Sequence, residues 1–474
     1  MSPKRSKPKK APSQQIDIRP PTIDTEHASM KASVAMLHQK THQSSVNRSG
    51  AHQKSAPKTQ VVVVGASVSG CAAAMLFARQ GIPVTVIEKR HPKDFYKPIC
   101  THYIQPCSLN AWRELDLYEP LLEAGAVKNT IGIWTKWGWI PKADLGDVHA
   151  MNMRRVTLDP LLRAKMINTP GVTYLDGARC SAVQFDSSGA VVGVTVESGT
   201  LGSFELPCTL LVGADGRESA VAELAGVPTE ESPNQRFSCF TFFRNIPNES
   251  RSTSRMWMLE PYIAYQFPND DGTTLIALMP TKDRIADFKA DRAACFRQIV
   301  KALPDAPDID GAEQIADYLM NTKNSMLLRR KLPRGLALVG DAFMTTDPLH
   351  GFGISWGIIS ASELVRRAAP GLLAGHRPDR EVAAYHQARY AEVKGHFKIM
   401  ADMALAKPMP VMQQMLFSAA TRDPEMSAIV QRFLAGTSGT SELLSLRTLL
   451  RAFTTTVRHS LRRPPLMASE SSNA

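Results

Sequence analysis

Three acidic residues, Glu88, Asp215 and Asp341, each close an apolar run that reads as a β-strand: VTVIE, TLLVGAD and LALVGD. A carboxylate at the C-terminal end of such a strand stands where α/β sheets bind ligands, and it can accept the paired hydroxyls of a ribose or similar sugar. The first of the three has a partner motif. Val61 to Val64 run into GASVSG, a small-residue helix follows, and Gly81 precedes the second apolar run, Val84 to Ile87, which Glu88 ends 23 residues after Gly65. Gly65 suits a tight turn, and Gly70 lets the helix pack closely on the strand. The amides of the first helical turn then face outward, where unpaired N–H groups and the helix dipole hold a pyrophosphate. An ordinary glycine-containing βα turn is the alternative, and Ser67 departs from the dinucleotide fingerprint by standing at its second glycine.

The two later acids are less telling alone. Asp215 and Gly216 precede a helix beginning near Ser219, so Asp215 is either a ligand-facing carboxylate or a helix cap. Asp341, with Gly340, ends a strand and opens a glycine-rich loop, through Pro348, Gly351 and Gly353, into a helix near Ile354. Backbone amides there can approach an electron-rich ring closely. Arg155 begins a helix with Leu158 and Leu162 on its packed face, so it either pairs with a carboxylate or holds a phosphate. His102, Tyr103 and Gln105 lie on an irregular loop and either line a cofactor or pack the loop. No nucleophile with a general base, and no cysteine spacing of the metal-binding type, is evident.

The elements that must carry these residues follow from hydropathy patterning. Alternating short segments between about Pro233 and Pro280, with PNDDG as a hairpin turn, predict an antiparallel sheet inserted between the halves of a nucleotide domain. Its Phe240, Phe242, Trp257, Met258, Tyr265 and Phe267 either floor an apolar pocket or form core. The chain of 474 residues carries a net charge of +12, but eleven Lys/Arg against three acids lie in residues 1–58, and five arginines lie between 447 and 463. The intervening body is close to neutral, which argues against a nucleic-acid surface. The polar, basic first 58 residues are expected to be disordered. No apolar run spans a membrane, and seven scattered cysteines suggest a reducing cytoplasm.

Together, GASVSG with Glu88, GADGRESAV and GDAFMTTDPLHGFG resemble the fingerprints of the FAD-dependent group A flavoprotein monooxygenases, the para-hydroxybenzoate hydroxylase-like class. The resemblance runs from about Val61 to Leu364. It implies that Gly65, Ser67 and Gly70 lie at the FAD pyrophosphate, Glu88 at the adenosine ribose and Arg155 near the phosphates. Asp215 and Gly216 would correspond to a motif linked to FAD and NAD(P)H, Gly340 and Asp341 to the ribityl site, and Pro348, Gly351 and Gly353 to the loop beside the flavin ring. His350 either projects over the flavin or is a satisfied loop histidine. Met344, Ser355 and Ser360 depart from residues common in the family, as Ser67 does.

The implied organisation is an α/β fold. A Rossmann-like FAD-binding domain comprises residues 59–232 and 331–380, a substrate domain residues 233–330, and a helical region residues 381–474. The implied activity is NAD(P)H- and O2-dependent hydroxylation or epoxidation of a small apolar or aromatic molecule. A reductase of the geranylgeranyl-reductase type and a halogenase are alternatives on the same fold; the WGWIP segment resembles a halogenase motif but lacks one spacer residue and comes early in the chain, so it is discounted. A protein that binds nucleic acid or a membrane surface through its basic ends is the alternative outside enzymology.

Overall fold

The four valines of β1 (Val61–Val64) are β-branched and buried on both faces, as a central strand of a parallel sheet requires. The computed structural model describes residues 60–91 and 95–462; the expected disordered tail, residues 1–58, lies outside them. After β1 come helix α1 (Val68–Arg79) and β2 (Val84–Ile87). Helix α1 is built from CAAAM-type small residues, all fully buried, so its axis lies close to the sheet.

The chain then leaves this unit. Strands β3 (Tyr103–Ile104), β4 (Val127–Thr135), β5 (Gly138–Ile140) and β6 (Ala150–Asn152) precede α2 (Arg155–Ile167) and β7 (Val172–Leu175). A meander of β8 (Ala178–Phe185), β9 (Val191–Ser198) and β10 (Gly202–Pro207) leads to β11 (Leu210–Gly213), followed by the short helix α3 (Ala220–Leu224). Next are β12 (Glu230–Ser232), β13 (Ser238–Arg244), β14 (Thr253–Met258), β15 (Ile263–Pro268) and β16 (Thr273–Met279). Short strands β17 (Glu313–Gln314), β18 (Leu319–Asn321) and β19 (Met326–Leu328) return the chain to β20 (Leu336–Leu338). The last elements are α4 (Gly353–Leu373), α5 (Asp379–Ala404), α6 (Val411–Ala420), α7 (Pro424–Leu434) and α8 (Leu446–Arg462).

Two sheets organise these elements. A five-stranded sheet has the order β20-β11-β1-β2-β7, with each pairing parallel. The order reverses direction at β1, which creates a crevice beyond the carboxyl ends of β1 and β11. Gly65, Ala214 and Gly340 all follow strands that end at this edge.

The second sheet has ten strands, with β17-β13-β16-β15-β14-β4-β6-β3 as its path, β18 on β13 and β5 on β4. The hairpin expected at PNDDG joins β15 to β16. The sheet is not confined to residues 233–330, however. Its β3 to β6 come from residues 103–152, which had been assigned to the nucleotide domain, because β4 pairs in parallel with β14, Ile133 opposite Met256. On one face Ile133, Met256, Tyr265 and Phe267 join the core beneath α6 and α7; on the other Trp257, Ile276 and Leu278 pack with Phe288 and Phe296. Packing on the parallel sheet also continues past residue 380: Tyr385 donates to the Leu338 carbonyl, and the Leu338 amide donates to His386 Nε2. Among the described residues, no helix is long and apolar enough to cross a membrane.

Candidate functional site at the strand-end crevice

The glycine turn after β1 is sterically obligatory. Gly65 has φ +104°, and a Cβ there would lie 2.5 Å from the Ala214 carbonyl oxygen. A Cβ on Gly70 would lie 1.8 Å from the Gly65 carbonyl oxygen, so α1 can meet β1 this closely only with glycine. Ser67 is the N-cap of α1 with extended backbone, but its side chain caps no amide. The first-turn amides therefore have no partner from the cap side chain.

Ser67 Oγ instead accepts from Arg155 Nη2 at 2.8 Å. Arg155, 3% exposed, also donates through Nε and Nη2 to the two carboxylate oxygens of Asp159, one helical turn on, at 2.7 and 3.0 Å. Burial opposes its charge, but the adjacent Asp159 carboxylate prevails and raises its pKa. Of the two sequence alternatives for Arg155, the pairing with a carboxylate is the one observed; its guanidinium also stands at the N-terminus of α1.

Glu88 is buried, and Oε2 accepts from the Ala66 amide at 2.9 Å, tying the end of β2 to the glycine turn. Gly340 has φ +57°, and a Cβ there would strike Ser69 Oγ at 2.2 Å; one on Gly357 would meet the same oxygen at 2.7 Å. The turn after β20 and the start of α4 are therefore seated on the first turn of α1. Asp341 Oδ2 accepts from Lys97 Nζ at 3.0 Å, and the Lys97 amide donates to Asp159, linking the third acid to the arginine pair.

Asp215 behaves differently. Its carboxylate accepts from Ser219 Oγ at 2.7 Å and the Val221 amide at 2.9 Å, so it holds the N-terminus of α3. This is the helix-cap alternative. The backbone of this segment, not the carboxylate, abuts Gly65, while Gly216 at φ +85° has open space where a Cβ would be.

The loop from Asp347 to Gly353 is held from three sides. Asp347 accepts from the Leu349 amide at 2.7 Å and from Asn234 Nδ2; burial raises its pKa to about 6. Tyr265 Oη donates to the Leu349 carbonyl, and Gln105 Nε2 donates to the His350 carbonyl at 2.6 Å. Pro348 opens a 3-10 turn that ends at Gly351, φ +63°, where a Cβ would lie 3.3 Å from the Tyr103 ring; Gly353 then begins α4. Burial, with His396 nearby, lowers His350 to about 4 and keeps it neutral at neutral pH. Gln105 therefore positions the loop, and Tyr103 packs beside it. His102 Nδ1 accepts from the Arg155 amide at 3.2 Å.

Between this loop and the large sheet lies a cavity of about 460 Å³. Tyr103, Ile131, Ile133, Met256, Tyr265 and Phe267 form its apolar wall, Pro348 to Gly351 another and the more polar stretch Lys142 to His149 a third, while Gln431 and Leu434 of α7, with Ala435 just past its end, reach it from the C-terminal region. Tyr103 and Tyr265 stack on Phe267 with centroids 4.9 and 5.3 Å apart. Of the six sequence candidates, Tyr265 and Phe267 line this cavity. Phe240, Phe242 and Trp257 pack in core, and Met258 lines a separate hollow of about 220 Å³. Trp139, from the WGWIP segment, packs edge-on against Trp257 and donates to Asp305, in the cluster on the opposite face of the sheet.

Sequence reasoning missed Asp159, Lys97, Asp347, Ile131, Ile133 and Met256. The i, i+4 spacing of Arg155 and Asp159 on one helix was a usable signal. The cavity residues of β4 had none, because what places them is a pairing with a strand more than a hundred residues away. Among the described residues, no group of acids, histidines and cysteines could hold a metal ion, and all seven cysteines are free thiols.

Residues 58–397 match the family model described as FAD binding domain. The chain belongs to this family of FAD-binding proteins. Within the family's wider neighbourhood it is 26% identical over 302 residues to digeranylgeranylglycerophospholipid reductase 1 of Methanococcoides burtonii, covering 62% of this chain and 70% of the relative. It is 21% identical over 335 residues to protoasukamycin 4-monooxygenase of Streptomyces nodosus subsp. asukaensis, covering 67% and 81%. The structure of the flavin-dependent brominase Bmp2 superposes with a TM-score of 0.67 at 16% identity, over 85% of this chain and 100% of that one, a likeness of fold. The protein is thus an FAD-dependent oxidoreductase by family, with the α/β architecture of its FAD-binding relatives.

Proposed function

We propose that this FAD-binding protein is a monooxygenase that places one atom of O2 into a small apolar or aromatic molecule held in the cavity above the Pro348–Gly351 loop. NAD(P)H supplies two electrons, and the second oxygen atom leaves as water. The observation that carries the reading is the cavity itself. Aromatic and aliphatic side chains on one side face a glycine-containing loop on the other, and that loop continues from the turns that gather at α1.

The residues present fit FAD. The Gly65–Gly70 turn leaves room for backbone amides to approach a pyrophosphate, and Arg155, already fixed by Asp159, adds positive charge at the same helix end. Ser67 holds that guanidinium in place. Glu88 stands where it can accept ribose hydroxyls, and Gly340 and Asp341 where they can meet the ribityl chain. Pro348, Gly351 and Gly353 flank the place for the ring. Asp215 acts indirectly, by setting α3 and the Gly216 turn. Bound FAD supplies the redox and oxygen-activating chemistry. The chain's own contribution is to orient the substrate against the loop, to hold its apolar surface against the Ile131–Ile133 and Met256–Phe267 wall, and to keep the neighbouring His350 uncharged.

Reduction of an isoprenoid double bond and halogenation are the competing readings. Relatives and neighbours include both kinds of enzyme, but Trp139, on the far face of the sheet, gives halogenation no support. The test is a screen of apolar and aromatic compounds against purified holoprotein, following NAD(P)H oxidation and oxygen consumption together. Stimulated oxidation matched by oxygen uptake is expected. Turnover that proceeds unchanged without oxygen and yields a saturated product would replace this reading with the reductase, and a halide-dependent product would replace it with the halogenase.

A further inference from the structure

Helix α8 (Leu446–Arg462) presents two unusual faces to solvent. Leu446, Leu450, Phe453 and Val457 are 73%, 55%, 58% and 38% exposed. Their spacing of four, three and four places them in one sector of about 60° along roughly 16 Å of helix. The inner face is elsewhere: Thr448 and Ala452 are buried, and α8 packs along α6 through it. The apolar stripe is therefore not the side that holds the helix to the protein.

Beside the stripe runs a second row. Arg447, Arg451 and Arg458 fall about 100° further round the helix. Arg447 and Arg451 pair with Glu425 and Asp423 of the neighbouring helix region, while Arg458 is exposed and has no acidic partner among the described residues. The helix sequence LRTLLRAFTTTVRHSLR contains no acidic residue, and Arg463 follows it directly.

We infer that α8 docks the protein on an anionic lipid bilayer surface, lying in the interface with the Leu446–Val457 stripe inserted and Arg458, the arginine of the row that no acid pairs, on headgroup phosphates. An apolar sector of large side chains flanked by arginine is the pattern of an interfacial helix, and guanidinium groups bind phosphate strongly. Charge decides among the possible covers. Arg447 and Arg451 are already answered by Glu425 and Asp423, but in an antiparallel two-fold pairing of the stripe with a second copy Arg458 would meet a helix that carries no acid. The chain's own first 58 residues, with eleven Lys/Arg against three acids, carry the same sign. Anionic headgroups supply the opposite sign. This inference is independent of which reaction the cavity performs.

The experiment is flotation of the full-length holoprotein with vesicles of phosphatidylcholine alone or with 30% phosphatidylglycerol, on the order of the anionic content that makes such attraction measurable. Binding to the anionic vesicles is expected to exceed that to neutral ones by at least about tenfold, and Arg458→Gln to lower it about fivefold. The double variant Leu450→Glu/Phe453→Glu is expected to lose at least about tenfold while keeping wild-type melting temperature and flavin content, because both side chains are exposed. Full retention of vesicle binding by the double variant, with loss on deleting residues 1–58, would assign the binding to the N-terminal segment and overturn the inference. A concentration-dependent dimer that Phe453→Glu dissociates, with no vesicle binding by the wild type, would assign the stripe to a second copy.

Discussion

Arg155 ties the N-terminus of α1, the proposed phosphate end of the site, to the protein core. Its guanidinium is nearly inaccessible and its partner Asp159 has no exposed side-chain surface, so neither charge can be removed singly without stranding the other. Arg155→Leu is expected to cost about 3–5 kcal/mol of stability, the usual penalty for an orphaned buried charge, and to release FAD on gel filtration. A melting curve with flavin fluorescence checks both. Ser67 also becomes intelligible at this scale. A glycine at this position would leave Arg155 Nη2 without its hydroxyl partner, so Ser67→Gly is expected to weaken FAD affinity about 10- to 150-fold, the worth of one charge-assisted hydrogen bond, when Kd is titrated on the apoprotein.

At the scale of elements, what could be read in the sequence was what is encoded locally. The β1–α1–β2 unit follows from four consecutive valines, two obligatory glycines and an acid at the next strand end, all within 28 residues of chain. The α4 entry was equally plain from Gly351 and Gly353. The large sheet was legible only in its hairpin, because β4 meets β14 by a parallel pairing that no local alternation announces. The cavity wall supplied by Ile131, Ile133 and Met256 was hidden for the same reason. Asp215 shows the converse: the motif was visible, but only the structure reveals that its carboxylate holds α3.

The loop before α4 makes a prediction about pH. Burial raises the Asp347 carboxyl to about 6, above its value in an unfolded chain near 3.9. The folded state therefore binds the proton more tightly than the unfolded one. The contribution from this group is fully present below pH 4 and declines as pH rises through about 6, by up to about 3 kcal/mol. Denaturation of wild type and Asp347→Asn between pH 4 and 7 reads it as a difference that changes across that window and is flat above it. Tyr265→Phe removes the hydroxyl donated to the Leu349 carbonyl and is expected to cost about 1 kcal/mol, with a larger effect on turnover than on substrate affinity if the loop shapes the reacting geometry. Steady-state kinetics separates the two.

On the scale of the whole molecule, charge and chemistry are spatially divided. The described fold holds the crevice and cavity in a body that is close to neutral by sequence, while the basic residues concentrate in residues 1–58 and along the acid-free α8. Deleting residues 1–58, whose composition predicts disorder, is accordingly expected to leave FAD content unchanged and the free energy of unfolding within about 0.5 kcal/mol of the full chain. The C-terminal helices are different. Gln431 and Leu434 of α7, and Ala435 just past it, reach the cavity, so removing residues beyond 405 is expected to open it and uncouple NAD(P)H oxidation from product formation, measured as the ratio of peroxide to product.

The central claim is that one oxygen atom from O2 enters a molecule bound between the large sheet and the Pro348–Gly351 loop. Turnover under 18O2, with a compound that stimulates NAD(P)H oxidation, tests it most directly by mass spectrometry of the product. A mass increase from one 18O atom, with one NAD(P)H consumed per product formed, is the predicted result. An unlabelled product formed equally well in the absence of oxygen would contradict it.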